Sequence, residues 1–303
     1  MSDVLGSKLL HAYGTNHLKL FVFQVNDGKF ALNLAKVREI IQVSSHQLVS
    51  LMGSNAPAFS GLIHVRGESI PAVSLFEYLS EEPATPEQEP LAIITEYNEK
   101  KTAFLIQDAD FNLNVSWDKI LPPESISEYG SVQAGFLLHD DQIIHLLDFE
   151  RIRDDVLGPS IVVPENDDTE DSPPLRVLFA EDSPHVRHVV AKFLRSRGFE
   201  VTETSDGEAA WSAFQANPFD FDVVLSDIEM PRKDGTRLVV DIRHNSDNSK
   251  LPIVLMSSMT IEQNIQQYLE IGASAFVPKN RLNALVAKLV ELAGGEQSDT
   301  EAA

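Results

Sequence analysis

The rhythm of hydrophobic and polar positions changes once along this chain, near residue 155. Between residues 18 and 149, short apolar runs rich in β-branched and aromatic residues alternate with polar turn signals. The first run, LKLFVFQV at 18–25, is followed by Asn-Asp-Gly and then by KFALNL at 29–34, a pattern typical of a β-hairpin. Many short strands joined by turns predict a barrel or a sandwich.

Further runs of the same kind predict the other strands of this half. One segment, AKVREIIQ at 35–42, is instead expected to form a short helix. SEEPATPEQEP at 80–90 is a polar, proline-rich excursion. The predicted strands are LIHV at 62–65, SIPAVSL at 69–75, LAIITEY at 91–97, TAFLIQD at 102–108, FNLNVSW at 111–117, GFLLH at 135–139 and IIHLLDF at 143–149.

Residues 154–174 separate the two halves. This segment holds four prolines and seven acidic residues and shows no strand or helix period beyond Ile161–Val163. Such a composition predicts a solvated linker. We therefore divide the chain into an all-β domain at 16–153, an acidic, proline-rich linker at 154–174, an α/β domain at 175–294 and a disordered acidic tail at 295–303.

After residue 175, strand-like and helix-like segments alternate. RVLFA at 176–180 predicts a strand, and Ser183-Pro184 predicts the cap and first residue of a helix that ends at Gly198. The following strands are predicted at 199–204, 221–226, 252–257 and 273–277, and the helices at 206–217, 235–245, 260–272 and 280–294. Five strands alternating with five helices predict a parallel, doubly wound sheet.

Composition and charge exclude several classes of protein. The 303 residues contain no Cys, which excludes disulfides, thiol nucleophiles and Cys-ligated zinc. No apolar run approaches the roughly 20 residues that span a bilayer, and the N-terminus lacks the apolar core of a signal peptide. We therefore expect a cytoplasmic protein without direct membrane insertion. The formal net charge of −22 repels phosphate backbones, so we expect no nucleic-acid partner.

Reactive side chains follow four of the five predicted strands of the α/β domain. Glu181 and Asp182 follow the first, Asp227 the third, Ser257 the fourth and Lys279 the fifth. The second is followed only by the sequence Thr-Ser-Asp. Ligands of open α/β sheets bind at the carboxyl ends of the strands, so these groups are expected to meet. Singly, each suits a structural role as a helix cap or surface residue, but together they favour a site.

The chemistry of these groups suits a phosphoryl acceptor. Carboxylates about 4 Å apart repel one another, so three acids at one edge require a cation, and oxygen donors suit Mg²⁺. Mg²⁺ and Lys279 would neutralise phosphoryl oxygens, and Ser257 would donate a hydrogen bond. Asp227 is then a plausible nucleophile, because carboxylates form aspartyl-phosphates.

The α/β domain resembles the response-regulator receiver family, typified by CheY. The resemblance covers residues 174–294 and implies a flavodoxin-like fold with a five-stranded parallel sheet, phosphorylated by a kinase. It is carried by ED at 181–182, SDIEMPRKDG at 226–235, MSS at 256–258 and FVPK at 276–279.

The resemblance implies a role for each matching residue. Asp227 would be the phosphoacceptor, and Asp182, Asp227 and the backbone carbonyl of Glu229 would ligate Mg²⁺. Glu181, where Asp is common in the family, would act on the metal through water or at longer range. Glu229 adds negative charge to the site.

The resemblance also implies a switch. Ser257 and Phe276 match the hydroxyl and aromatic positions whose rearrangement transmits phosphorylation, and Lys279 matches the phosphoryl-binding lysine. Here Lys279 is followed by Asn280, where the family usually has Pro, and is preceded by Pro278. Two alternatives stay open: an aspartate-nucleophile, Mg²⁺-dependent phosphatase, and a pure scaffold with a silent receiver.

The all-β domain resembles the CheW adaptor family. The resemblance is carried by LKLFVFQVNDGKFALNLAKVREII at 18–41 and FSGLIHVRGESIPAVSL at 59–75, which contains Arg66-Gly67. It implies two small intertwined β-barrels that bind the chemoreceptor cytoplasmic tip and the histidine kinase CheA. Arg66 and Gly67, an ordinary hairpin turn on composition alone, would lie at a partner contact.

A CheW-like domain followed by a receiver is the order found in the CheV family of chemotaxis coupling proteins. The resemblance implies a non-enzymatic adaptor, recruited to receptor arrays at the inner face of the membrane. Phosphorylation of Asp227 by CheA would regulate it, as adaptation or as a phosphate sink.

Overall fold

The computed structural model describes residues 17–44, 47–49, 57–80, 90–123, 129–163, 175–230, 232–245, 248–258 and 262–294. Two compact units share these residues, one at His17–Ser160 and one from Ile161 onward. None of the helices within these ranges has the length and apolar character needed to cross a membrane. The predicted tail at 295–303 and most of the excursion at 80–90 lie outside the described residues.

The first unit consists of two β-sheets. Its strands are β1 (His17–Val25), β2 (Gly28–Asn33), β3 (Val37–Gln42), β4 (Leu48–Val49), β5 (Phe59–Val65), β6 (Glu68–Ser74), β7 (Leu91–Tyr97), β8 (Lys100–Ile106), β9 (Asp108–Ser116), β10 (Gln133–His139) and β11 (Gln142–Leu147). One sheet has the strand order β10-β11-β2-β1-β9, and the other has the order β3-β7-β8-β6-β5-β4. The chain passes from the first sheet to the second and back, so the sheets are intertwined.

Two helices accompany these sheets, α1 (Leu75–Leu79) and α2 (Phe149–Leu157), with short 3₁₀ turns at Leu34–Lys36, Trp117–Lys119 and Gly130–Val132. The predicted hairpin at the start of the unit is confirmed: β1 and β2 pair antiparallel from Val25 opposite Gly28. Asn26 makes the turn possible with a positive φ of 51°, a conformation that Asn tolerates better than most residues.

The helix predicted at 35–42 is wrong. Only Leu34–Lys36 forms a 3₁₀ turn, and Val37–Gln42 is the strand β3, paired antiparallel with β7. Its residues alternate between half-buried and exposed, which is the period of a strand. The β-branched residues Val37, Ile40 and Ile41 favour this extended conformation once a partner strand lies beside it.

Aromatic side chains join the two sheets in one core. The ring of Phe23 in β1 lies 5.9 Å from that of Phe30 and 6.0 Å from that of Phe149 in α2. The ring of Phe104, from β8 of the other sheet, lies 4.6 Å from that of Phe149. All four side chains are buried. Helix α2 therefore closes the core between the sheets.

Helix α2 extends beyond residue 154, the predicted start of the linker. Residues 154–157, assigned to the linker, form the last turn of this helix. Asp154 is held there by Arg153 at 2.5 Å and by the backbone N–H of Ser160 at 2.9 Å, with the Arg153–Asp154 pair itself buried. Ile161 is buried in the core of the second unit. Residues 164–174 lie outside the described residues, so there the linker stays a prediction.

The second unit is a parallel five-stranded sheet with helices on both faces. The elements of this unit are β12 (Arg176–Ala180), α3 (Pro184–Ser196), β13 (Glu200–Thr204), α4 (Gly207–Ala216), β14 (Val223–Asp227), α5 (Gly235–His244), β15 (Ile253–Ser257), α6 (Glu262–Glu270), β16 (Ala275–Pro278) and α7 (Leu282–Gly294). The strand order is β13-β12-β14-β15-β16, and every neighbouring pair is parallel. One core cluster lies on each face of the sheet.

The local signals that predicted these helices have the expected roles. Ser183 caps α3, and its hydroxyl accepts a hydrogen bond from the backbone N–H of Val186. Gly198 follows the end of α3 with a positive φ of 85°. The predicted fold class, an all-β domain followed by a doubly wound parallel α/β domain, is confirmed.

Candidate functional site

Asp227 ends the central strand β14, after the buried run Val223–Leu225. Its carboxylate Oδ1 accepts a hydrogen bond of 2.8 Å from the backbone N–H of Ile228. Its backbone carbonyl accepts one of 2.8 Å from the hydroxyl of Ser226. A Cβ at Gly235 would lie 2.1 Å from that carbonyl oxygen, so only glycine fits where α5 begins. The hydroxyl of Ser226 and the close approach of Gly235 therefore hold the backbone carbonyl of Asp227 in place.

Lys279, just after the edge strand β16, reaches this carboxylate. Its Nζ lies 3.2 Å from Oδ2 of Asp227 and 2.8 Å from Oε2 of Glu181. Its backbone N–H donates to the carbonyl of Ser257 at 3.2 Å, which ties the lysine to β15. The side chain of Lys279 is 2% exposed and that of Glu181 is 0% exposed. Such burial is tolerable because the charges are paired.

Three acids meet at this edge with the spacing of a metal site. One carboxylate oxygen from each of Glu181, Asp182 and Asp227 lies within 4.8 Å of the others. Oxygens on opposite sides of a Mg²⁺ ion are about 4.2 Å apart and adjacent ones about 3 Å, since each bond is 2.0–2.1 Å. The three acids therefore lie near the spacing that one such ion requires. Asp182 is exposed, which leaves the cluster open to solvent.

Glu181 belongs to the acidic cluster and also contacts Lys279. Both of its carboxylate oxygens face Lys279, at 2.8 and 3.1 Å. The longer glutamate side chain thus spans the distance to the ammonium. Its backbone carbonyl accepts a hydrogen bond of 2.6 Å from the guanidinium of Arg187, which anchors the start of the loop after β12.

The remaining predicted receiver residues lie on β15, on β16 and in the loop after Asp227. Ser257 is buried at the carboxyl end of β15, next to the buried Ser258. Glu229 is half-buried in the loop that follows Asp227. Phe276 is half-buried in β16, and its ring stacks on that of Tyr268 in α6 at 6.1 Å.

Arg66 and Gly67 form the turn between β5 and β6 in the first unit, far along the chain from this cluster. Both have positive φ angles, 49° and 88°. The guanidinium of Arg66 lies 2.9 Å from the carboxylate of Glu39, yet the side chain is 81% exposed. The turn therefore presents an accessible positive charge.

One pair of residues near the site was missed by the sequence analysis. Asp206, which follows β13, is fully buried and forms an ion pair with Arg232 in the loop after β14. Burial raises the pKa of Asp206, but hydrogen bonds from Arg232 and from the backbone N–H of Ala209 outweigh it and hold the pKa below its ordinary value. The signal in the sequence was an Asp-Gly step at a strand exit, which marks a helix cap.

Comparisons with known proteins find a matching domain family for each half of the chain. A CheW-like domain model matches residues 19–156, and a response regulator receiver domain model matches residues 177–290. Chemotaxis protein CheV3 of Helicobacter pylori is 27% identical, covering 84% of this chain and 85% of that protein. Chemotaxis protein CheV1 of the same organism is 25% identical, covering 97% and 100%. The crystal structure of scaffolding protein TtCheW from Thermoanaerobacter tengcongensis is 18% identical, with a TM-score of 0.41, covering 45% of this chain and 86% of that chain.

Proposed function

We propose that this chain, which belongs to the CheV family of chemotaxis coupling proteins, couples chemoreceptors to the histidine kinase CheA under the control of phosphorylation at Asp227. One observation carries the regulatory half of the proposal. The carboxylate of Asp227 lies 3.2 Å from the buried ammonium of Lys279, beside two further acids, at the carboxyl edge of a parallel sheet. This is the arrangement that an aspartyl phosphoacceptor requires.

In the proposed reaction, one carboxylate oxygen of Asp227 attacks the phosphorus of a phosphohistidine on CheA. The P–N bond breaks as the new O–P bond forms, and the imidazole leaves with the electron pair and is protonated. The product is an acyl phosphate on Asp227. The ammonium of Lys279 stands where it would pair with the phosphoryl oxygens as they arrive. The transfer is stoichiometric, so the chain acts as a regulated adaptor and not as an enzyme.

The proposed cofactor is Mg²⁺, held by Asp182, Asp227 and the backbone carbonyl of Glu229. When bound, it neutralises charge on the phosphoryl oxygens. In our proposal Glu181 acts on the ion through water or at longer range. It also holds Lys279 in place, because both of its oxygens face that ammonium.

The signal would leave the site through Ser257 and Phe276. A phosphoryl group on Asp227 offers new acceptors to the hydroxyl of Ser257, which ends the neighbouring strand. Phe276 is half-buried and stacks on Tyr268, and in our proposal its ring changes position in response. The response would serve adaptation or remove phosphate from CheA.

The first unit would supply the coupling. We propose that the exposed turn at Arg66-Gly67 contacts a partner, either the chemoreceptor cytoplasmic tip or CheA. These contacts would recruit the chain to receptor arrays at the inner face of the membrane. The positive charge of Arg66 suits an acidic partner surface, and 81% of its side chain is available.

The test is phosphotransfer from purified CheA labelled with radioactive ATP, with and without Mg²⁺. We expect rapid, Mg²⁺-dependent labelling of the parent, complete loss in Asp227→Asn, and unchanged labelling in Asp220→Asn, a control at an exposed position. An unlabelled parent that still binds receptor–CheA arrays would leave a scaffold with a silent receiver. Sustained release of phosphate from a phosphomonoester would instead indicate a phosphatase.

A further inference from the structure

The loop between Asp227 and α5 is described at 228–230 and 232–235. The backbone carbonyl of Ile228 accepts a hydrogen bond of 2.9 Å from the backbone N–H of Gly235, which closes the base of the loop. Glu229, whose backbone carbonyl is a proposed metal ligand, lies just inside this base. The position of that carbonyl therefore depends on what holds the rest of the loop.

The far side of the loop is fastened to the start of α4. Asp206 caps this helix, and its Oδ1 accepts hydrogen bonds of 2.9 Å from the backbone N–H groups of Glu208 and Ala209. The other oxygen of Asp206 accepts from the guanidinium of Arg232. Asp206 is fully buried, whereas 57% of the Arg232 side chain is exposed. The buried carboxylate of Asp206 thus holds the guanidinium of Arg232 at the N-terminus of α4.

Two further features fit this attachment. Arg232 has a positive φ of 60°, an uncommon conformation for a residue other than glycine. The backbone N–H of Gly207 donates to the carbonyl of Lys233 at 3.1 Å, and a Cβ at Gly207 would lie 2.2 Å from that oxygen. The loop backbone therefore approaches α4 more closely than any residue but glycine allows.

Lys233 connects the same loop to a second helix. Its ammonium lies 2.7 Å from the carboxylate of Asp241 in α5 and 3.2 Å from that of Glu208 in α4. It also lies 4.9 Å from the centre of the Trp211 ring. A shift of the loop would move this ammonium and alter the surroundings of the indole.

We propose that the Asp206–Arg232 ion pair is a positioning device for the metal- and phosphoryl-binding site. By fastening the loop at 228–235 to α4, it presents the backbone carbonyl of Glu229 beside Asp227. The inference rests on the proposed function, because the site that the pair positions is the Mg²⁺ site proposed above. Neither residue touches the phosphoryl group or the ion; both act through the loop.

Long-range electrostatics makes the opposite prediction for one of the two residues. Loss of the positive charge of Arg232 would strengthen the binding of a cation nearby, and loss of the negative charge of Asp206 would weaken it. Positioning predicts that both losses weaken binding. The sign of the effect of Arg232→Gln therefore separates the two explanations.

The experiment uses the full chain with Trp117→Phe, which leaves Trp211 as the only tryptophan. Mg²⁺ is titrated and the fluorescence of Trp211 recorded, and the Mg²⁺ concentration for half-maximal phosphotransfer from CheA is measured in parallel. Asp206→Asn keeps the helix cap, because Asn caps as well as Asp, and removes only the charge. Arg237→Gln is the matched control, since its guanidinium pairs with Asp241 at 3.0 Å.

We expect Arg232→Gln and Asp206→Asn each to weaken Mg²⁺ binding about tenfold, the lower end of the range for groups that orient metal ligands. The double variant should be no weaker than either single variant, because both remove one contact. Arg237→Gln should bind as the parent does. Far-UV circular dichroism of each variant checks that the fold is retained.

Two results would overturn the proposal. If the parent binds Mg²⁺ and accepts the phosphoryl group, but Arg232→Gln binds Mg²⁺ as tightly or more tightly, the ion pair has no positioning role and the proposed function stands. If the parent itself neither binds Mg²⁺ nor accepts the phosphoryl group, the proposed function fails, and the positioning role fails with it.

Discussion

The two units of this chain organise their charged residues in different ways. In the second unit all five strands are parallel, so their carboxyl ends share one edge, and Asp227 and Lys279 meet there from strands that are not sequence neighbours. In the first unit most neighbouring strands are antiparallel, so turns lie at both ends of each sheet. Strand direction therefore decides whether side chains at strand ends converge on one site or spread over a surface.

The burial of charged side chains also differs between the two units. Lys279 and Glu181 are buried almost completely, whereas the ion pair of Arg66 with Glu39 leaves the arginine 81% exposed. Arg153 and Asp154 form a buried ion pair in the first unit, but this pair fastens the end of α2. Among the described residues, three acids close enough to hold a metal occur only at Glu181, Asp182 and Asp227. The second unit thus gathers charged groups into a buried cluster, whereas the first leaves the charge of Arg66 at its surface.

The largest expected effect tests whether the units are energetically separate. Phe104→Ala removes a fully buried ring from the first core and should lower its free energy of unfolding by about 3–5 kcal/mol. Mg²⁺ binding by the second unit should not change. Urea denaturation and Mg²⁺ titration measure the two quantities, with Phe179→Ala, fully buried in the second unit, as the reciprocal variant. A parallel loss of Mg²⁺ binding in Phe104→Ala would mean that the units fold as one.

The next effect concerns buried charge in the second unit. Lys279→Met leaves Glu181 and Asp227 without their shared ammonium and should lower the free energy of unfolding by about 3 kcal/mol, as for one partner of a buried ion pair. Saturating Mg²⁺ should recover part of this loss, because a cation again lies beside the acids. Urea denaturation with and without Mg²⁺ tests this. Equal losses under both conditions would contradict a metal site at these acids.

A smaller effect depends on pH and concerns Asp206. Its folded pKa is lowered, so the stabilisation by its ionised form is fully present above the unfolded pKa of about 3.9 and is lost as pH falls through the folded pKa. The stability advantage of the parent over Asp206→Asn should therefore be larger at about pH 5 than at about pH 3. Urea denaturation at both values measures it. An advantage independent of pH would show that the charge of Asp206 does not stabilise the fold.

The smallest expected effect on stability is at the first unit's exposed turn. Arg66→Glu should change the free energy of unfolding by no more than about 0.5 kcal/mol, because the ion pair with Glu39 is solvent-exposed. Binding to receptor–CheA arrays should nevertheless weaken, since the charge is reversed at the proposed contact. Co-sedimentation with arrays measures this, and Arg38→Glu, on β3, is the control. Unchanged sedimentation would place the contact elsewhere.

Local sequence determined much of the second unit. Ser183-Pro184 starts α3, Gly198 follows its end, and the apolar runs form the five predicted strands. These signals depend on residues within one or two helical turns, so they can be recognised without the tertiary structure. Because parallel strands share an edge, their order also brought Glu181, Asp182, Asp227, Ser257 and Lys279 to one place.

Only the tertiary structure decided the rest. Residues 37–42 became a strand because β7 lies beside them, although their spacing had indicated a helix. The pairing of both Glu181 oxygens with Lys279 joins residues 98 positions apart, and that of Asp206 with Arg232 joins residues 26 apart. The sequence around each residue predicts neither of these two pairings. The energy of a buried charge depends on which opposite charge the fold brings within about 3 Å.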